Sequence, residues 1–131
     1  VSASTVAAVQ WIARACHRAQ LGCRGPYVVL GNQTVAAAAI RELGFVSFPG
    51  IPFAYANESG APELNAFFLK MNAAPTRATA LEAMDANRVN EVFFVVNDFW
   101  KNSARIAEAA TREADDVLEV DETVSVFIYQ R

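Results

Sequence analysis

The stretch YVVLGNQTVAAAAIRELGFVSF at residues 27–48 decides the fold class. Its first four residues are apolar and rich in β-formers, which indicates a strand buried on both faces. Residues 35–43 have the pattern of a helix that Gly44 ends, and residues 45–48 predict a second strand. A strand, a helix and a strand in that order favour a parallel crossover unit over a hairpin.

The flanking sequence extends this unit into one α/β domain over residues 1–131. Upstream, a helix is predicted at 5–19 with Ser2 and Ser4 as candidate N-caps. Downstream, a long loop at 49–62 precedes further predicted elements: helices at 63–71 and 75–86, the strongest strand at 92–96, a helix at 99–114, and a hairpin of strands at 117–120 and 123–129. We therefore expect a three-layer α/β/α sandwich whose sheet is mostly parallel and carries an antiparallel C-terminal hairpin.

Composition limits the function classes. With 131 residues, 53% hydrophobic and 19% charged, the chain suits one folded domain and not a disordered segment. Eleven basic and fourteen acidic residues, with no basic cluster, argue against a nucleic-acid partner. No cofactor is predicted, because the turn after the first strand has only Gly31 where a dinucleotide site needs three glycines. The P-loop, nucleophile-elbow and zincin patterns are missing from the sequence as well.

Polar side chains follow two predicted strands. Asn32 and Gln33 come after the first strand, and Asn97 and Asp98 come after the strongest one. Since ligands of open α/β sheets bind beside the carboxyl ends of strands, these four residues are the candidate ligand site. The alternative is that residues of these turns are helix N-caps, which the backbone needs with or without a ligand, and this interpretation is favoured.

The cysteines and acidic residues leave other interpretations open. Cys16 and Cys23 could form a small disulfide loop if the chain reverses between them, or both could be buried thiols. No metal site is predicted, because the acidic residues of 113–122 lack the glycine-centred calcium-loop pattern and His17 is the only histidine. The apolar segment 45–56 could cover a neighbouring domain or lie near a membrane, although core packing is favoured for Phe45 and Phe48.

The segments VVLGNQTVAAAAIRELGF, FFLKM, LEAMDANRVNEVFFVVNDFW and VLEVDETVSVFIYQR lie between residues 27 and 131. Together they resemble the soluble, C-terminal extracytoplasmic domain of polytopic bacterial membrane proteins related to the GT-C glycosyltransferases, including the dolichyl-phosphate-mannose mannosyltransferase-like proteins. The catalytic acid of that family lies between membrane helices, so the resemblance implies no catalytic residue here. It agrees with a chain that begins at Val1 without a signal-peptide pattern, which we expect to be excised from a larger membrane protein.

The resemblance implies a non-catalytic accessory domain at the cell membrane, on its extracytoplasmic side. Its partner would be the membrane-embedded part of the same polypeptide, with a polyprenyl- or glycan-type substrate. That location favours a disulfide between Cys16 and Cys23. The alternative is a free-standing small α/β ligand-binding or enzyme domain with its site at the carboxyl ends of the strands.

Overall fold

The computed structural model describes residues 3–17, 26–43, 53–56, 61–97 and 103–131. The helices in these ranges are α1 (Ala3–His17), α2 (Gln33–Leu43), α3 (Pro62–Ala73), α4 (Arg77–Asn87) and α5 (Ser103–Glu113). The strands are β1 (Tyr27–Leu30), β2 (Phe53–Tyr55), β3 (Glu91–Asn97), β4 (Asp116–Glu119) and β5 (Val124–Gln130).

The strands form one mixed sheet in the order β2-β1-β3-β5-β4. Strands β2, β1 and β3 are parallel to one another, whereas β5 is antiparallel to both β3 and β4. Tyr27 of β1 lies beside Glu91 of β3, and β5 pairs with β3 along all of that strand from Glu91 to Asn97. The predicted α/β sandwich with a parallel core and antiparallel C-terminal strands is confirmed.

Helices cover both faces of the sheet, and alternate residues of β3 point into two separate cores. Val92, Phe94 and Val96 pack with α3, α4 and α5, which we call the three-helix face. Phe93 and Val95 pack with α1 and α2 on the opposite, two-helix face. β3 is buried on both faces over its whole length. For this reason its residues 92–96 are all apolar and do not alternate with polar ones.

The sequence prediction missed the edge strand β2. Residues 53–55, which were predicted to lie in a loop, form β2 and pair in parallel with β1. The strand predicted at 45–48 lies outside the described residues. A three-residue strand is too short to show an alternating pattern, and it owes its conformation to the hydrogen bonds of β1.

An ion pair ties α4 to the end of β5. The Arg77 guanidinium donates through Nη1 to Asp115 Oδ2 and through Nη2 to the Gln130 carbonyl oxygen, both at 2.7 Å. The same Asp115 oxygen accepts the Gln130 backbone N–H at 2.7 Å. Three elements that are distant in sequence therefore meet at one guanidinium group.

The turn between β4 and β5 is organised by one carboxylate. Asp121 Oδ1 accepts the backbone N–H of Thr123 at 2.7 Å and that of Val124 at 3.1 Å, and Asp121 Oδ2 accepts the Ser4 hydroxyl. These hydrogen bonds stabilise the ionised form and lower the pKa of Asp121 to about 2. The turn is thereby joined to the beginning of α1.

We expect Arg77→Met to lower the free energy of unfolding by about 1–2 kcal/mol, because two hydrogen bonds of a half-exposed cation are lost. Urea denaturation measures the change. Arg112→Met is the matched control, since the Arg112–Glu108 pair is exposed on both sides and should contribute under about 0.5 kcal/mol. Equal effects of the two substitutions would contradict the role given to Arg77.

Acid should weaken the domain through Asp121. A carboxyl group whose folded-state pKa is lowered stabilises the fold above its unfolded pKa of 3.8, and the contribution is lost as the pH falls toward about 2. Asp121→Asn keeps an acceptor oxygen but does not titrate. Between pH 3.8 and about 2, we expect the urea midpoint of Asp121→Asn to fall less than that of the wild type. Equal decreases in the two midpoints would contradict the role given to Asp121.

Candidate functional site

The predicted site lies where the chain changes direction across the sheet. After β1 the chain enters α2 on the two-helix face, and after the neighbouring parallel strand β3 it continues to α5 on the three-helix face. In open α/β sheets, the carboxyl ends of two neighbouring strands whose connections diverge in this way are where ligands bind. We call this position the switch point. β1 pairs with β3 only as far as Leu30 and Phe94, so residues 95–97 extend past the last pair of this ladder.

Asn32 lies on the α2 side of the switch point and caps the helix. Its Oδ1 accepts the backbone N–H of Thr34 at 3.1 Å and of Val35 at 3.2 Å, together with the Thr34 hydroxyl at 2.5 Å. The Asn32 carbonyl oxygen accepts the N–H groups of Val35 and Ala36. The capping interpretation is thus confirmed for Asn32, and its amide oxygen is already engaged.

Gly31 explains how α2 begins so close to the end of β1. A Cβ atom at this position would lie 2.9 Å from Val35 Cγ2, which is closer than such atoms approach. The glycine therefore serves the packing of the first turn of α2 against the strand. Its value to the fold is steric and requires no phosphate ligand.

Asn97 lies on the β3 side. It is the last residue of β3, is only 4% exposed, and pairs with Val124 of β5. Residues 98–102, which follow it, lie outside the described residues, so the capping alternative for Asn97 or Asp98 stays a prediction. Asp98 and the side chain of Gln33 lie outside the described residues.

The described side chains at the switch point are neutral and serve the fold. The Thr34 hydroxyl donates to Asn32 Oδ1 within the cap of α2, and Asn97 is buried. None of these groups titrates near neutral pH, so these three residues supply no general acid or base.

A buried polar pair at the opposite end of the sheet is absent from the sequence-based candidates. Glu91 is 1% exposed, and its Oε1 accepts the Gln130 side-chain amide at 2.9 Å. Tyr27 lies beside Glu91 in the strand register, and burial raises the pKa of the Tyr27 hydroxyl. No sequence signal connects Glu91 with Gln130, since their contact depends on the antiparallel register of β3 and β5.

Cys16 is fully buried on α1 and is disulfide-bonded. Cys23, the only other cysteine of the chain, lies outside the described residues. The pairing of Cys16 with Cys23 therefore stays a prediction.

The acidic residues near the C-terminus serve separate structural contacts. Asp115 binds Arg77, and Asp121 holds the turn between β4 and β5. Within the described ranges, no three His, Cys, Asp or Glu side chains are grouped so that they could hold a metal ion.

Comparison with known proteins gives no assignment: no protein-family model, curated protein or solved structure matches this chain. In the part of the chain that the structure describes, none of the helices has the length and apolar character needed to cross a membrane.

We expect Asn32→Ala to lower the free energy of unfolding by about 1 kcal/mol, because the first turn of α2 loses its cap. Asn32→Asp is the matched control, since aspartate caps as well as asparagine does. Thermal or urea unfolding measures both variants. An alanine variant as stable as the aspartate variant would contradict the capping role.

Proposed function

We propose that this chain is a non-catalytic extracytoplasmic accessory domain of a multi-pass membrane protein, of the kind that transfers a sugar from a lipid phosphate. The proposed partner is the membrane-embedded part of the same polypeptide, and the substrate of the whole protein is of polyprenyl or glycan type. The proposal extends the resemblance of residues 27–131, whose quoted segments include most of β1, β3, β4 and β5.

The disulfide-bonded Cys16 carries this proposal. Structural disulfides persist in oxidising compartments outside the cytoplasm, where thiols are not kept reduced. A disulfide on a fully buried helix position suits a domain that is exported before it folds.

Several polar side chains form contacts that stabilise the fold, and this also supports an accessory role. Asn32 caps α2, Asp121 holds a turn, and Arg77 joins α4 to β5. These residues stiffen the domain, as a scaffold that rests against a larger protein requires.

The topology of the intact protein tests the location. We expect alkaline phosphatase inserted after Arg131 of the full-length protein to be active, and green fluorescent protein at the same position to be dark if exported unfolded. The reverse result would overturn the extracytoplasmic assignment. Fractionation of the two fusions controls for their amount in the membrane.

The oxidation state gives a second, quantitative prediction. Intact-mass analysis should show no maleimide addition to unreduced protein that is labelled in denaturant, and two additions after reduction. For a disulfide between Cys16 and Cys23, reduction should lower the free energy of unfolding by about 2–3 kcal/mol, because a short loop is released. Two reactive thiols in exported protein would contradict the disulfide.

The switch point between β1 and β3 supports a second candidate, a free-standing ligand-binding or enzyme domain. This function predicts saturable binding of a polar ligand that Asp98→Ala abolishes. Thermal shift with monosaccharides and sugar phosphates tests it, with Asp116→Ala on the exposed strand β4 as a control. A saturable shift lost only in Asp98→Ala would favour this candidate over the accessory domain.

A further inference from the structure

Helix α3 is apolar on two opposite sides. Leu64, Phe68 and Met71 are buried against the sheet. On the opposite side, exposed apolar residues recur at helical spacing, which we call the outer stripe: Pro62, Ala66, Leu69 and Ala73. Leu69 is 57% exposed and is the one large hydrophobic residue in the exposed class among those described.

The outer stripe continues into an apolar groove. Ala73 lines a groove of about 310 Å³ between the end of α3 and α5. Its floor carries Pro75, Ile106 and Ala109, and the charged residues Arg105, Glu108 and Arg112 also line it. A helix that is apolar on both sides is typical of one packed on both sides, and contiguous apolar surface marks interaction sites, so the outer stripe is a candidate interface.

The charges beside the stripe indicate which partner fits it. Glu63 lies in the first turn of α3 and Lys70 in the last turn, seven residues apart. Lys70 also pairs with Glu82 of α4 at 3.3 Å, but both side chains are more than half exposed, so the ammonium group can approach a second carboxylate. Seven residues are nearly two helical turns, so both side chains lie on the same flank of the stripe. The other flank carries the amides Asn65 and Asn72.

This arrangement is complementary to itself. When two identical helices pack antiparallel about a two-fold axis, the equivalent flanks of the two helices lie side by side and run in opposite directions. Glu63 of one copy then lies near Lys70 of its partner, and the contact occurs twice. Ala66 and Ala73 are small enough to let the two helices approach closely.

We propose that the outer stripe of α3 is a homodimer interface, in which two copies of this chain pack α3 against α3 antiparallel across a two-fold axis. This inference does not rest on the proposed function. The contact between two helices is smaller than the ~800 Å² per partner of a standard interface, so the dimer is weak, with Kd above roughly 10 µM. A lipid surface fits less well, because the flank carries an acid as well as a base.

Sedimentation velocity of the full chain tests the proposal over a series from about 10 µM to about 1 mM, which brackets the Kd of a small interface. The weight-average mass should rise from 14.2 kDa toward twice that value. Leu69→Asp should hold it at the protomer mass. Ala37→Asp, at an exposed position of α2 on the two-helix face, is the matched control and should associate like the wild type.

Charge exchange tests the antiparallel arrangement independently of Leu69. Glu63→Lys and Lys70→Glu should each raise Kd roughly tenfold, because two attractive pairs become repulsive. The double variant, and an equimolar mixture of the two single variants, should associate like the wild type. Circular dichroism and urea unfolding confirm that each variant is folded.

A protomer mass throughout the series would overturn the proposal, as would a dimer that Leu69→Asp leaves intact. Single charge variants that associate normally, or a mixture that fails to recover, would overturn the antiparallel packing. Monomeric protein that binds vesicles of phosphatidylcholine and phosphatidylglycerol, with binding lost in Leu69→Asp, would assign the stripe to a lipid surface instead.

Discussion

The pairing of β3 on both of its edges is the constraint on which the domain depends. The backbone of this strand bonds to β5 along its whole length and to β1 over its first four residues. Its side chains are buried on both faces, so water does not reach its backbone. Water therefore cannot replace the hydrogen bonds that a missing neighbouring strand would leave unmade. Both helical layers are therefore needed at once, and removal of either one would expose half of the same strand.

The two ends of this sheet are built differently. At the carboxyl ends of β1 and β3 lie the neutral amides of Asn32 and Asn97. At the amino end, the buried Glu91–Gln130 pair and the Arg77 ion pair close the structure around β5. Adaptable polar groups thus lie at one end, and the contacts that hold the C-terminal strand lie at the other.

The sequence predicted those parts of the structure that local patterns determine. The bounds of β1 were predicted correctly at residues 27–30, because this strand is a continuous apolar run. β3 was predicted from the apolar run at residues 92–96, and it extends one residue further at each end, to the polar residues Glu91 and Asn97. Asn32 was recognised as a cap from its residue type and position. β2 was missed because three residues carry no periodic signal, and Glu91 because its partner is distant in sequence.

The place of β5 in the sheet governs when the domain can fold. This last strand, residues 124–130, supplies the whole of one edge of the central strand. The core cannot close before that segment has joined the sheet, so the slow step of folding is the formation of contacts distant in sequence. A nascent domain that still lacks these residues would expose one edge of β3 and the apolar side chains on both of its faces.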